Sequence, residues 1–305
     1  MTFLELRQRV GELSGLDETQ TDTDTRIKEW INQAYQEVSS FYEWPWLIKE
    51  DIIQTVAEIT TGTVSVTNGS TAIVFSSAPT ISVQSQFDFQ VDSDQEWYNI
   101  ASHTAASVNA TLNVPYLKTT DGTATYKLRK VRYSLPTDFD RVQFMRQTED
   151  KVLLAELRKR DLFHLIPDPQ ATNQPRFYYF DGLDSNKNWQ VGLYPISPSA
   201  TNVILSYFKE ITELSDNDDK PDIPDKFHNV LVFGALALYG YSFIDDSRIR
   251  EARQSFVKIL DEMRKTAGPG KDSHTVIQPW DHRPGNRLRG PRLPSNFGPN
   301  FFGFG

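Results

Sequence analysis

Apolar positions along the chain follow two different periods, and the change of period divides it. Residues 23–46 carry the strongest 3.6-residue pattern, with Ile27, Trp30, Ile31, Ala34, Tyr35, Val38, Phe41 and Tyr42 on one stripe of a helix. Asp22, Thr23 and Asp24 cap that helix and put negative charge at the positive end of its dipole. Pro45 ends it, by disfavouring helical geometry at Trp44 and by offering no N–H. Residues 2–14 predict a shorter helix, with a Thr2–Glu5 capping box and a stripe of Phe3, Leu6, Val10 and Leu13. The short polar link between the two predicts an antiparallel hairpin.

Over 51–133 the period falls to two. Thr-, Ser- and Val-rich runs predict strands at 52–56, 63–66, 72–75, 87–91, 97–101, 110–114 and 125–131. Asn68-Gly69 predicts a hairpin turn of the primed type, since both residues tolerate positive φ. Strands spaced in this way predict a small antiparallel sandwich or barrel inserted between helices.

Helical texture returns at 135. A helix is expected over about 149–163, with Glu149 and Asp150 at its start and Arg158, Lys159 and Arg160 near its end. Strands at 176–180, 189–194 and 203–208 predict a β-hairpin or small sheet. An acidic linker, 215–225, feeds a helix over 224–243 that is apolar nearly all round, including Val230, Leu231, Val232, Phe233, Leu236 and Leu238. Such a helix must be covered on several sides. Its Gly234, Ala235, Ala237 and Gly240 form a small face for close helix approach. Asp245, Asp246 and Ser247 cap a last amphipathic helix with Ile249, Phe256, Leu260 and Met263 inward.

The expected fold class is therefore α+β. A helical bundle, 1–49 and 135–270, carries a β-hairpin at about 175–210 and is interrupted by a β-sandwich or barrel at 50–134. An extended C-terminal arm occupies 271–305. The arm is dense in Pro, Gly and Asn, and it sets five bases against two acids. Sparse aromatic anchors on such a segment suit a partner that orders it, whereas composition alone also fits a disordered tail. The candidate partner-binding residues are Trp280, Arg283, Arg287, Arg289, Arg292, Phe297, Phe301, Phe302 and Phe304.

Composition narrows the function classes. An apolar fraction of 38% is low for 305 residues and suggests an elongated chain or one whose burial is completed by neighbours. Net charge of −8 argues against wholesale nucleic-acid binding. With no cysteine, disulfides and thiolate metal sites are excluded. The most apolar run, 230–244, is shorter than the ~18 residues of a membrane span, and the charged N-terminus does not read as a signal peptide.

No catalytic, cofactor or metal site is expected. The five histidines are scattered, outside any metal-ligand spacing. Residues 184–188 imitate the start of a calcium loop, but Trp189 stands in place of its glycine and Pro195 in place of its bidentate glutamate. No P-loop or nucleophile elbow is present. Paired carboxylates for glycoside cleavage stay open, because their pairing lies in the fold.

The order of elements resembles the head-to-tail adaptor (connector) proteins of tailed bacteriophages. The segments that carry the resemblance are WINQAYQEV and FYEWPWL in the opening helix and its exit, EWYNIAS in the β insertion, LPTDFDRV, and IPDKFHNVLVFGALALYGY with the helix over 248–264. The resemblance implies a structural virion protein, made in the host cytoplasm, whose ring of twelve copies joins portal to tail and continues the DNA channel. It implies a homo-oligomer that contacts portal, tail or nozzle proteins and DNA passing through without sequence-specific binding. No membrane, cofactor or enzymatic activity is implied. In this picture the far side of the all-round apolar helix meets the next subunit. Other readings are a tail-nozzle or stopper protein, a carbohydrate-binding module using Trp97 and Tyr98, and a cell-wall hydrolase.

Overall fold

Two seven-stranded sheets, rather than a helical bundle, form the frame of the chain. The computed structural model describes residues 1–16, 20–81, 86–92, 94–166, 168, 170–239 and 246–267, and the structural statements below concern these.

Helices α1 (Phe3–Ser14) and α2 (Thr21–Phe41) open the chain. The Thr2–Glu5 box forms, with Glu5 N donating to Thr2 Oγ1 at 3.3 Å and Thr2 N to Glu5 Oε2 at 2.9 Å. After a 3₁₀ turn at Pro45–Leu47 comes β1 (Ile48–Gln54). Next come β2 (Val64–Val66), β3 (Ala72–Phe75), β4 (Phe87–Val91), β5 (Tyr98–His103), β6 (Asn109–Leu112), β7 (Asp121–Ala124) and β8 (Tyr126–Lys130). Then follow β9 (Arg132–Ser134), β10 (Phe139–Gln147), β11 (Leu153–Glu156), the short α3 (Lys159–Leu165), β12 (Phe177–Leu183), β13 (Trp189–Tyr194) and β14 (Asn202–Lys209). The chain closes on α4 (Asn229–Gly234), a wider π-helical turn at Ala235–Tyr239, and α5 (Asp246–Ala267).

One sheet has the order β7-β2-β3-β6-β5-β4-β8. Its end strands β7 and β8 are consecutive halves of one stretch, parted only at Thr125, so the row of strands curls back on itself. Period-2 alternation aims Phe75, Phe87, Phe89 and Tyr126 into its core, and Tyr116 joins them from the connection between β6 and β7. The turn at Asn68-Gly69 is not of the primed type: only Gly69 has positive φ, and five residues separate β2 from β3.

The other sheet has the order β1-β14-β10-β11-β12-β13-β9 and is antiparallel except between β11 and β12. It overturns the expected bundle-plus-hairpin. Strands β12 and β13 pair towards one edge of the sheet while β14 lies between β1 and β10 towards the other, and the helix expected over 149–163 does not form. Lys151 takes φ 56°, which interrupts a helix at its start. Leu153 is then 62% exposed while Leu154 is buried, a strand alternation, and Ala155 pairs with Phe177 of β12. At Gly192 in β13 an added Cβ would lie 2.1 Å from the ring of its cross-strand partner Tyr179, so this ring is seated on bare backbone.

The helices form a third layer with its own core. Ile27, Trp30, Ile31, Ala34, Tyr35 and Val38 of α2 are all buried, as are Phe256, Leu260 and Met263 of α5. Helix α4 sits among α1, α2 and α5, and an added Cβ at Gly234 would lie 3.0 Å from Phe256 and 3.1 Å from Ala34. Val230, Leu231, Val232 and Leu236 are buried within the chain itself. The chain's own helices thus cover much of the all-round apolar pattern, while Phe233 and Leu238 stay half-buried and residues 240–243 of the expected helix lie outside the described residues.

Candidate assembly surfaces

Helix α2 separates two flanks of the helical layer. On one side its polar residues hold the acidic segment that follows β14. Asn32 mimics a strand partner, donating to the Leu214 carbonyl at 3.0 Å and accepting from Leu214 N at 2.9 Å. Tyr35 Oη accepts from Asp222 N at 2.6 Å, and burial raises the pKa of that phenol. Within the segment, hydrogen bonds from Ser215 N and Asp216 N hold the Asp219 carboxyl below its ordinary range. The carbonyls of Asp219 and Asn217 accept from Phe3 N and Leu4 N, satisfying the first turn of α1. Arg7 ties the same place together, reaching Asp24 at 2.7 Å and the Asn217 side chain. The acidic stretch is therefore an anchored surface and not a free linker.

On the other side, α2 and α5 leave a groove of about 370 Å³ lined by Glu37, Phe41, Val257, Leu260, Asp261 and Arg264. Phe41, expected on the core stripe, is 59% exposed there, and Val257 is 58% exposed. A wider polar cleft of about 660 Å³ lies at the curled sheet, lined by Asn68, Asp94, Tyr116, Lys118, Thr120 and Asp121 among others.

The two sheets meet through charge. Arg132 of β9 reaches Asp88 of β4 at 3.2 Å and also pairs with Asp181 of β12, which Lys159 of α3 contacts as well. Gln86 Nε2 donates to Ser134 Oγ at 2.7 Å across the same seam. Arg129 pairs with Glu58, donates to the Gln170 carbonyl at 3.2 Å and lies 4.3 Å over the Trp97 ring. Arg129 thereby covers one face of the half-buried Trp97, and Tyr98 is buried against Tyr116. The Tyr98 ring of the carbohydrate reading therefore presents no open stacking face.

Among the described residues no group of three His, Cys, Asp or Glu side chains could hold a metal, and no helix is long and apolar enough to cross a membrane. The Asp184 carboxylate of the calcium-like loop accepts from Asn186 N, Asn188 N and Ser134 Oγ, each at 2.8 Å, and so builds a turn.

His228 is buried, its Nε2 donating to the Ile223 carbonyl at 2.7 Å and its Nδ1 accepting from Met1 N at 2.6 Å. Burial, aided by the nearby ammonium, lowers its pKa. The unfolded chain therefore takes up a proton near the ordinary pKa of about 6.5 that the folded chain refuses. We expect stability to be complete above that pKa and to fall as pH drops from about 6.5 towards 5, before the carboxylates titrate. Urea midpoints between pH 7 and 5 check this. His228→Gln should flatten the dependence, and an unchanged slope in that variant would refute the assignment.

The expected partner-binding residues Trp280, Arg283, Arg287, Arg289, Arg292, Phe297, Phe301, Phe302 and Phe304, with the whole arm, lie outside the described residues. The anchored acidic flank and the α5 groove were not singled out in the sequence. A charge run and one misplaced phenylalanine were the signals available.

No curated protein matches the chain. Residues 106–277, more than half of it, match the family model described as SU10 adaptor protein, an adaptor-type family of phage structural proteins. The match runs from the middle of the curled sheet through LPTDFDRV, the second sheet, α4 and α5, whereas α1 and α2 precede it. The chain belongs to the SU10 adaptor protein family.

Proposed function

We propose that this phage adaptor is a ring-forming head-to-tail connector. Twelve copies join the portal to the tail and continue the DNA channel, first in the host cytoplasm during assembly and then in the virion. The observation that carries the reading is the match of 106–277 to an adaptor family. Net charge of −8 supports it, because a channel wall of like sign to phosphate does not hold DNA in transit. In this reading no chemistry is performed, the curled sheet of β2 to β8 forms a module on the ring, and 271–305 is an arm that docks on the portal through its aromatic and arginine side chains.

Electron microscopy of the protein mixed with its portal tests this. Closed rings coaxial with the portal support it. Failure to bind the portal, with binding to tail proteins instead, favours a nozzle or stopper protein. For the arm, removal of 271–305 should leave the melting temperature of the remaining chain unchanged and abolish co-sedimentation with the portal. Undiminished complex formation by the truncated chain would remove the arm from the reading.

A further inference from the structure

We propose that successive copies of the chain meet head to tail, the outer face of α5 in one copy seated on the acidic segment 210–225 of the next. The inference rests on the ring reading above and names the two surfaces that join neighbours.

The argument begins with α2. Asn32 holds the acidic segment and Phe41 lines the α5 groove. They stand nine positions apart, about two and a half helical turns, so they point to opposite sides of the helix. Tyr35 and Gln36 side with Asn32, through Asp222 N and Glu213, while Glu37 sides with Phe41. The two surfaces therefore cannot meet within one copy.

Their charges are complementary. The exposed positions of α5 include Arg248, Arg250, Arg253, Lys258, Arg264 and Lys265 against Glu251, Asp261 and Glu262. Segment 210–225 exposes Glu210, Glu213, Asp216, Asp218, Asp222 and Asp225 against Lys220. Some of this charge is answered internally, as in Lys265–Asp261 at 3.7 Å and Lys209–Asp222 at 2.8 Å, and the excess on each flank remains of opposite sign. Apolar surface accompanies both. Phe41 and Val257 stand exposed beside α5, and Leu4 is exposed where its N–H meets the Asn217 carbonyl. Complementary patches on opposite flanks make a heterologous contact, which propagates from copy to copy and closes into a ring when the rotation allows. Hydrogen bonding of the acidic segment to α1 and α2 fixes it before contact, which reduces the ordering cost of docking.

Because the chain has no cysteine, a disulfide reports the contact directly. The full chain carrying Asp218→Cys together with Lys258→Cys should give a ladder of linked multimers on mild oxidation, while each single variant gives none. As a second measurement, the pair Arg253→Glu and Lys258→Glu, or the pair Asp216→Lys and Asp218→Lys, should weaken self-association about tenfold or more. Neither reversed protein should assemble alone, but an equimolar mixture of the two matches opposite charges at both contacts and should recover higher assembly by alternating the two proteins. All four substitutions in one chain should likewise restore it. Wild-type rings that form without a ladder, and that withstand both reversals, overturn this interface and leave the ring reading standing. A wild-type chain that forms no rings, alone at low salt or on the portal, overturns the ring reading itself.

Discussion

Arg132→Met should lower the unfolding free energy by about 3 kcal/mol, the low end of the cost of breaking a buried ion pair by removing one partner. The side chain of Asp181 is only 3% exposed, that of Asp88 13% and that of Arg132 itself 23%, so solvent replaces little of what the guanidinium supplies. Burial works against the charge on Arg132, but attraction to Asp88 and Asp181 outweighs it and raises its pKa. Without it, Asp88 retains the Asn99 amide at 2.7 Å and Asp181 retains Lys159 alone. Among the described residues the two sheets keep separate apolar cores, so neither core compensates at the seam. Arg132→Lys should recover only part of the loss, because an ammonium cannot span both carboxylates. Urea unfolding of Arg132→Met, of Asp88→Asn and of the double variant gives the coupling, expected above about 1 kcal/mol. A loss below about 0.5 kcal/mol for Arg132→Met would show the network to be superficial.

The elements that could be read from sequence are those whose order is local. Helix α1 carries its capping box and α2 its apolar stripe, although α2 begins after Gln20 with no side-chain cap, so that Asp22 and Asp24 fall in its first turn, and it ends at Phe41, short of Pro45. Strands β2 to β6 lie between turns and are located to within two residues. Strand β10 does not alternate. Register shifts between Phe139 and Arg141 and between Val142 and Phe144 break its period, which hides nine residues of central strand behind an aperiodic pattern. The second sheet was illegible for a related reason. β1 pairs with β14 across about 150 residues of chain, with Ile48 opposite Phe208, and no local signal announces that partnership. Reading β1 with the strands that follow it, and β14 with a hairpin, produced a bundle where the chain builds a sheet. Tertiary pairing also overrode the helical spacing of Val152, Leu153 and Leu157. The acidic run at 215–225 was legible as charge, but its anchoring rests on Asn32, 182 residues from Leu214, and so on the fold. What the segment can do as a surface follows from that anchoring.

The exit from α2 is where the helical layer and the second sheet depend on each other most. Trp44 is almost wholly buried, and its indole N–H donates to the Val38 carbonyl at 2.6 Å, supplying a partner to a last-turn carbonyl that the helix cannot bond itself. Its ring stacks on Trp46 at 4.8 Å and 13° and meets Tyr42 at 5.0 Å. Its backbone carbonyl accepts from Leu47 N at 3.0 Å, closing the 3₁₀ turn that delivers the chain into β1. One side chain thus plugs the helical core, caps α2 and sets where the edge strand begins. Trp44→Ala opens a cavity at that point and should cost about 3–5 kcal/mol, with about 1 kcal/mol of it from the lost hydrogen bond. For a chain of this size that is a fall in melting temperature of roughly 10 °C, read by circular dichroism. Trp44→Phe keeps most of the ring volume and should lose only the smaller part. If alanine and phenylalanine cost the same, the ring is not filling the joint, and α2 and β1 are held by the Asp138–Lys49 and Glu43–Arg141 pairs instead.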